Sequence, residues 1–434
     1  MILGCYKLIA GVCYPIFKPA FLIKAKLEGP DSLWAGRLGV LPEAIYEGPP
    51  PDLWLQAVSV GEVNVAEALV KALDRIAPGF KIFVSSSTPA GFARAQSLLG
   101  DRCVVIPFPL DFPQVVRRLA KQLRPRVYAS LETELWPNLL HAIKAKGSRM
   151  VLLNGRISQR SFPLYKRVKS LTAPVLSCFS KFCAISDIHA QRLEELGAPR
   201  DRILITGNAK FEGLLDRPSF KKAEYLKNKL DIKRDVPVWV AGSIRGGEEP
   251  LVVKAYSKIR MKHPELVVFL VPRHLEGVER IEAALKNAGF PYQLWSEIEM
   301  GKPRRCHIVL VDVIGPLFDL YGLATVAFVG GSLVPKGGQN IMEPAAWGCP
   351  VIYGPHTENF DDARVSLDKA EGGIAVVDEE GLVKNLDLLF KNMSLAKEIG
   401  KRARKALEEI AQGAASKQAE VILEQFRKSK TIED

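Results

Sequence analysis

Three carboxylates stand where a parallel sheet would deliver them to a ligand. Glu62 lies in Val58-Ser59-Val60-Gly61-Glu62, just after an apolar run that begins at Leu53. Glu132 and Glu134 lie in Ser130-Leu131-Glu132-Thr133-Glu134-Leu135-Trp136-Pro137-Asn138, just after another such run. An acid between the end of a strand and the start of a helix faces the ledge where open α/β sheets bind ligands. There it can take a proton from a hydroxyl as a general base. The plainer reading of Glu62 is a first-turn acid favoured by the helix dipole, and position alone favours that reading. Glu134 can likewise be a helix cap. Glu132 follows the apolar strand directly and is harder to dismiss.

The second half offers groups for an anion. Gly242-Ser243-Ile244-Arg245-Gly246-Gly247-Glu248-Glu249 follows a strand and opens a helix. Its backbone N–H groups can meet a phosphate, although it lacks the GxGxxG and P-loop spacings. Pro272-Arg273-His274 places a guanidinium after the next strand, which suits a phosphate or carboxylate. His274 reads as a solvated surface residue. Gly330-Gly331-Ser332-Leu333-Val334 and Gly337-Gly338-Gln339-Asn340-Ile341-Met342-Glu343 form a glycine-rich loop that enters a helix with an acid in its first turn. In a nucleotide-binding half the helix start meets the phosphate and the acid holds a ribose hydroxyl. In the first half, Arg156 adds a cation at a strand end, and Gly207–Glu212, with Lys210, closes the half.

The elements that must position these residues follow one rhythm. Strands are expected at Leu53–Ser59, Lys81–Ser86, Cys103–Ile106, Arg126–Leu131, Met150–Asn154, Phe182–Ile185 and Ile203–Thr206. The rhythm restarts with Pro237–Ala241, Leu266–Val271, Tyr292–Trp295, His307–Val311, Val326–Val329, Val351–Tyr353 and Ile374–Val377. Short Val/Ile/Leu runs separated by amphipathic stretches mean parallel βαβ units. The expected fold is α/β, with two doubly wound Rossmann-like domains. The boundaries are a membrane-associated anchor over 1–40, an N-terminal domain over 41–212, a charged linker over 213–235 and a second domain over 236–394. A long terminal helix over 395–434 is expected to pack back on the first domain.

The 434 residues are 47% hydrophobic and 25% charged, which fits a folded chain and excludes a disordered one. The net charge of +12 is spread without a basic tail. It argues against nucleic acid as partner and suits anionic lipid headgroups or phosphorylated substrates. Seven cysteines, an odd number with no pair at metal-type spacing, read as reduced thiols, with no structural zinc. Residues 1–23 are the most apolar stretch, but Lys7 and Lys18 interrupt them. Pro15 and Pro19 are expected to break a helix there. An attachment lying in a membrane face is favoured over a span, with Lys18, Lys24 and Lys26 among headgroups and Tyr6, Tyr14, Phe17 and Phe21 at the boundary.

Taken together these segments resemble a known family. Val58–Glu62, Glu132–Asn138, Gly207–Phe211, Pro272–His274, Gly331–Leu333, Asn340–Pro344 and Gly354–His356 occur in this order, and Trp34–Gly39 stands behind the anchor. The ordered set resembles the 3-deoxy-D-manno-octulosonic acid (Kdo) transferases of lipopolysaccharide synthesis, over residues 1 to about 375. The resemblance implies a GT-B glycosyltransferase at the cytoplasmic face of the inner membrane. It implies inverting transfer of Kdo from CMP-Kdo to a lipid A precursor of the lipid IVA type, without metal or cofactor. Glu62 is then the general base, and Glu132 or Glu134 supports the acceptor side. Pro272, Arg273, Ile314, Gly315, Pro316, Asn340, Ile341, Met342 and Glu343 hold CMP, with Lys210 and Ser243 counted on the donor side. One departure is visible: many members carry Gly-Glu-Leu where this chain has Gly315-Pro316-Leu317. Another GT-B transferase, a nucleotide-sugar epimerase and a non-catalytic membrane-surface protein are the alternatives. The anchor and the Glu132–Asn138 segment argue against the first two, and intact acids at 62 and 132 argue against the third.

Overall fold

A computed structural model describes residues 2–28, 33–159, 161–411 and 413–430. The chain forms two compact units, Met1–Gly213 with Ala411–Asp434, and Leu214–Ile410. The first holds strands β1 (Leu53–Gln56), β2 (Ile82–Ser86), β3 (Val104–Pro107), β4 (Val127–Leu131), β5 (Arg149–Gly155), β6 (Lys181–Ala184) and β7 (Ile203–Ile205). They make one parallel sheet in the order β3-β2-β1-β4-β5-β6-β7. Every residue of β1, β2 and β4 is buried, because helices cover both faces. The order reverses between β1 and β4, so the loops after these two neighbours flank the switch point of the sheet.

The second unit repeats the plan with β8 (Val238–Ile244), β9 (Val267–Pro272), β10 (Tyr292–Leu294), β11 (Ile308–Leu310), β12 (Val326–Val329), β13 (Val351–Tyr353) and β14 (Gly373–Ala375). The parallel order is β10-β11-β9-β8-β12-β13-β14. Its switch point lies between β8 and β12, so the two glycine-rich loops that follow these strands are neighbours.

Three expectations about the connecting segments need correction. The segment 213–235 contains a helix, Phe220–Lys229. Leu226, Leu230 and Ile232 enter the core of the second unit beside Val238, Val267 and Trp295. Lysines on the outer face had masked this short apolar stripe. The terminal helix is two helices, Met393–Ala411 and Ala414–Lys430, with Gly413 in the left-handed region (φ 66°) between them. Only the second covers the first sheet, where Ala415, Ala419 and Ile422 join Leu55 and Leu69 in one core. Phe426 meets the Phe80 ring edge-on at 4.8 Å.

The third correction concerns the N-terminus. Ile2–Glu28 is one helix that runs through Pro15 and Pro19. Pro15 has no N–H for the carbonyl of Gly11 four residues earlier. Gln114 Nε2 supplies the missing donor at 3.2 Å. The inner face of this helix is clamped to the first unit. Tyr6 donates to Asp111 at 2.9 Å, Tyr14 packs on Phe112 at 5.3 Å, and Phe21 stacks on Trp34 at 5.1 Å. Tyr6, Tyr14 and Phe21 therefore hold the helix to the protein instead of marking a membrane boundary, and Lys24 sits over the Trp34 ring. The outer face carries Leu8, Ile9, Val12, Ile16, Ile23 and Leu27, each 58–82% exposed. Gly4–Leu27 is long and apolar enough to cross a membrane.

Candidate functional site

Ser59 caps the helix Val60–Ile76 in extended conformation, and Glu62 stands in its first turn. The Glu62 carboxylate turns back toward the strand end. Its Oε2 accepts the Val58 N–H at 2.9 Å and its Oε1 accepts the Ser59 hydroxyl at 3.0 Å. Glu62 is only 6% exposed. Burial pushes its carboxyl up to about 7; the Val58 N–H and Ser59 hydroxyl pull it down, and the charges of Glu132 and Glu134 push it further up. A carboxylate offers about four lone-pair sites, so two bonds leave capacity for a substrate proton.

Glu132 ends β4 in the left-handed region (φ 55°), where a residue with a side chain is strained by roughly 1–2 kcal/mol. Its N–H donates to Leu153 O of β5 at 2.9 Å, which turns the chain out of the sheet. Glu134 Oε2 accepts the Trp136 indole N–H at 2.9 Å. Burial raises the Glu134 carboxyl, the indole N–H lowers it, and the Glu132 charge raises it again. The Glu132 carboxylate makes no side-chain bond among the described residues. Of the pair, Glu134 is the pinned acid and Glu132 the available one. Glu132 and Glu134 lie in the loop that leaves β4, and Glu62 in the first helical turn after β1, at the switch point of the first sheet.

Lys210 stands in this first unit, whereas the other residues expected on the donor side stand in the second. Its helix, Ala209–Leu215, starts where Asn154 Oδ1 accepts the Ala209 N–H at 2.9 Å. Asn154 is itself left-handed (φ 50°) at the end of β5. Gln418 of the last helix accepts the Asn154 N–H at 3.2 Å and donates to Thr206 at 3.2 Å.

In the second unit, Pro272 ends β9 and Arg273 follows, exposed. The Arg273 guanidinium has no partner among the described residues, while its N–H is fixed to Ile244 O at 2.9 Å. Ile314 is 88% exposed and Gly315 is left-handed (φ 124°). Pro316 caps Leu317–Tyr321, so the helix starts normally with proline at this position. Asn340 Oδ1 accepts the Met342 N–H at 3.2 Å, and its amide reaches Glu343 Oε1 at 3.4 Å. Ile341 and Met342 are 0% exposed, whereas Asn340 and Glu343 on either side are half-buried. Ser243 is a further left-handed residue (φ 56°) near the end of β8.

Sequence reasoning missed Glu248, which is 0% exposed. Its carboxylate accepts the N–H groups of Gly331, Ser332 and Leu333 at 2.5, 2.9 and 2.8 Å, and that of Arg245 at 3.3 Å. Burial raises this carboxyl and the four N–H groups pull it back. Glycine is required at 330, where a Cβ would lie 2.7–2.8 Å from Ser243 O and Glu248 Oε2. The N–H groups of 331–333 are therefore already taken by the protein's own carboxylate, and the helix start expected to meet a phosphate lies further along, at 340–343. The only signal was an acid seven residues after Ala241, the expected end of the strand, and spacing does not reveal that it points backward.

A family model described as 3-deoxy-D-manno-octulosonic-acid transferase (kdotransferase) matches residues 32–213. A 3-deoxy-D-manno-octulosonic acid transferase of Haemophilus influenzae is 34% identical over 328 residues, covering 76% of each chain. A Bordetella pertussis protein of the same name is 31% identical over 336 residues, again 76% of each chain. Among solved structures, a glycosyltransferase from Rickettsia africae superposes with a TM-score of 0.60 at 17% identity, over 86% of this chain and 98% of that one. Anabaena HepE in complex with UDP gives 0.61 at 14% identity, over 86% and 99%. These two share the GT-B arrangement of elements.

Proposed function

This chain belongs to the 3-deoxy-D-manno-octulosonic acid (Kdo) transferase family, and we propose that it moves Kdo from CMP-Kdo to a lipid A precursor with Glu62 as general base. It is a glycosyltransferase of lipopolysaccharide synthesis. The observation that carries the mechanism is the buried Glu62 carboxylate, held by Val58 and Ser59 and raised to about 7. A base poised near the working pH combines a populated ionised form with enough basicity to take a hydroxyl proton.

In this reading an acceptor hydroxyl gives its proton to Glu62. Its oxygen bonds to the anomeric carbon of Kdo as the bond to the CMP phosphate breaks, with inversion and no covalent enzyme intermediate. No metal or cofactor takes part. Glu132 orients the acceptor, and Glu134 holds the loop through Trp136. Arg273 meets the anionic donor, with Pro272, the Ile314–Pro316 turn, the Asn340–Glu343 segment and Ser243 around the nucleotide. Lys210, which belongs to the same unit as the acids, serves the transferred group rather than the base of CMP in this reading.

The outer face of the first helix supports attachment to the cytoplasmic face of the inner membrane. Beside it a depression of about 450 Å³ is lined by Lys7, Arg117, Lys121, His141 and Lys146 among others, which suits anionic headgroups. Release of CMP from CMP-Kdo only when a lipid A precursor is present tests the reaction. Release without acceptor, or none at all, would refute it.

A further inference from the structure

We propose that Glu248 is a positioning residue for the donor: its carboxylate fills the glycine-rich loop as an internal anion and fixes both donor-binding segments at once. The inference rests on the assignment of the donor half above. Converging backbone N–H groups after a strand form the kind of nest that usually receives a ligand's phosphate. Here the nest of Gly331, Ser332 and Leu333 is occupied by the protein's own carboxylate. Burying an ion is costly unless its hydrogen bonds are met. Four N–H groups meet that need, so carboxylate and loop hold each other.

Two chains of contacts lead outward from this centre. The Gly331 carbonyl accepts the Gly338 N–H at 2.8 Å, which folds the loop back and sets where Gln339–Glu343 begins. On the other side, Glu248 accepts the Arg245 N–H, and the carbonyl of the preceding Ile244 accepts the Arg273 N–H at 2.9 Å. Ser332 extends the scaffold: its Oγ accepts the Gly354 N–H at 2.9 Å and its carbonyl the His356 N–H at 3.0 Å. One carboxylate thus registers the segments of Arg273, Asn340 and His356. Because the nest is full, the donor's phosphate needs cations such as Arg273 and not these N–H groups.

The test compares the full-length enzyme with Glu248→Gln, Gly331→Ala and, as control, Glu249→Gln. Glu249 is the adjacent acid, paired with Arg280 at 2.9 Å outside the nest. Initial rates are measured against CMP-Kdo and against acceptor, with hydrogen exchange followed in the peptide that contains 331–333. Glu248→Gln and Gly331→Ala are expected to raise the KM for CMP-Kdo at least tenfold. The kcat should stay within threefold, acceptor KM should be unchanged, and exchange at 331–333 should accelerate. Glu249→Gln should shift the donor KM by less than twofold. A folded Glu248→Gln whose loop exchanges faster while its donor KM stays within twofold would make Glu248 merely structural and overturn the proposal. If Glu248→Gln does not fold, Gly331→Ala decides, since it keeps the carboxylate and disturbs the same loop. Its unchanged donor KM would overturn the proposal equally. A wild type with no saturable response to CMP-Kdo would instead remove the donor assignment, and this inference with it.

Discussion

Ser59 and Glu62 hold each other from both directions: the Ser59 hydroxyl donates to Glu62 Oε1 at 3.0 Å and its oxygen accepts the Glu62 N–H at 3.4 Å. This is the geometry of a capping box, except that the second carboxylate oxygen takes the Val58 N–H instead of the Ser59 N–H. The cap orients the carboxylate, and burial makes it basic. A structural motif has become a means of presenting a base.

The activity should therefore titrate with Glu62. Its carboxyl ionises at about 7, so kcat/KM is expected to rise as pH passes upward through that value. Ser59→Ala removes a bond that favours the charged form and should move this limb to higher pH. Glu134→Gln removes a like charge and should move it to lower pH. A profile that is flat between about pH 5.5 and 8.5 would contradict the assignment.

The same shift has a consequence for stability. The folded pKa of about 7 lies above the ordinary 4.5, so the native state binds this proton more tightly than the unfolded chain does. The wild type should lose stability relative to Glu62→Gln as pH rises from 4.5 to 7, by up to about 3 kcal/mol. Thermal unfolding of both proteins at pH 5 and pH 8 checks this. A Tm difference that does not change between the two pH values would show that Glu62 is not held as described.

Arg273→Ala should weaken CMP binding and spare the fold, because the guanidinium is exposed and holds nothing else among the described residues. A lost charge-assisted bond of about 1.5–3 kcal/mol corresponds to roughly 10–100-fold in affinity. Isothermal titration with CMP measures it. Affinity within twofold of the wild type would take Arg273 out of the donor site.

The first helix separates attachment from folding by face. Replacing Leu8, Val12 and Ile16 with serine should release the chain from membranes without lowering Tm. Replacing Tyr14 and Phe21 with alanine should lower Tm, because these rings pack on Phe112 and Trp34. Vesicle flotation with thermal unfolding distinguishes the two; serine variants that still float with vesicles would point to attachment elsewhere.

Much of this was legible in the sequence. Fully buried parallel strands are continuous apolar runs, which makes strands such as β1, β2 and β4 legible to within about two or three residues. The acids were found because strand-to-helix loops are short and ordered. What stayed hidden depends on contacts far apart in the chain. Gln114 rescues the carbonyl that Pro15 leaves open, which no local rule predicts. Glu248 reaches Gly331 across 83 positions, and only the adjacency of β8 and β12 makes that contact. The helix Phe220–Lys229 reads as a linker in the sequence because two buried apolar residues, Ala223 and Leu226, are a weak signal among lysines. The split of the last helix at Gly413 followed the same logic of a single punctuating residue.

The most direct test is turnover by Glu62→Gln in the full-length protein, with CMP affinity measured on the same sample. The glutamine keeps the size of the side chain and one acceptor, so the Ser59 cap can persist while the base is gone. CMP should bind as in the wild type, and acceptor-dependent CMP release should fall by about 10²–10⁴-fold. Release within a few-fold of the wild-type rate would show that Glu62 is only the cap of its helix and would contradict the account.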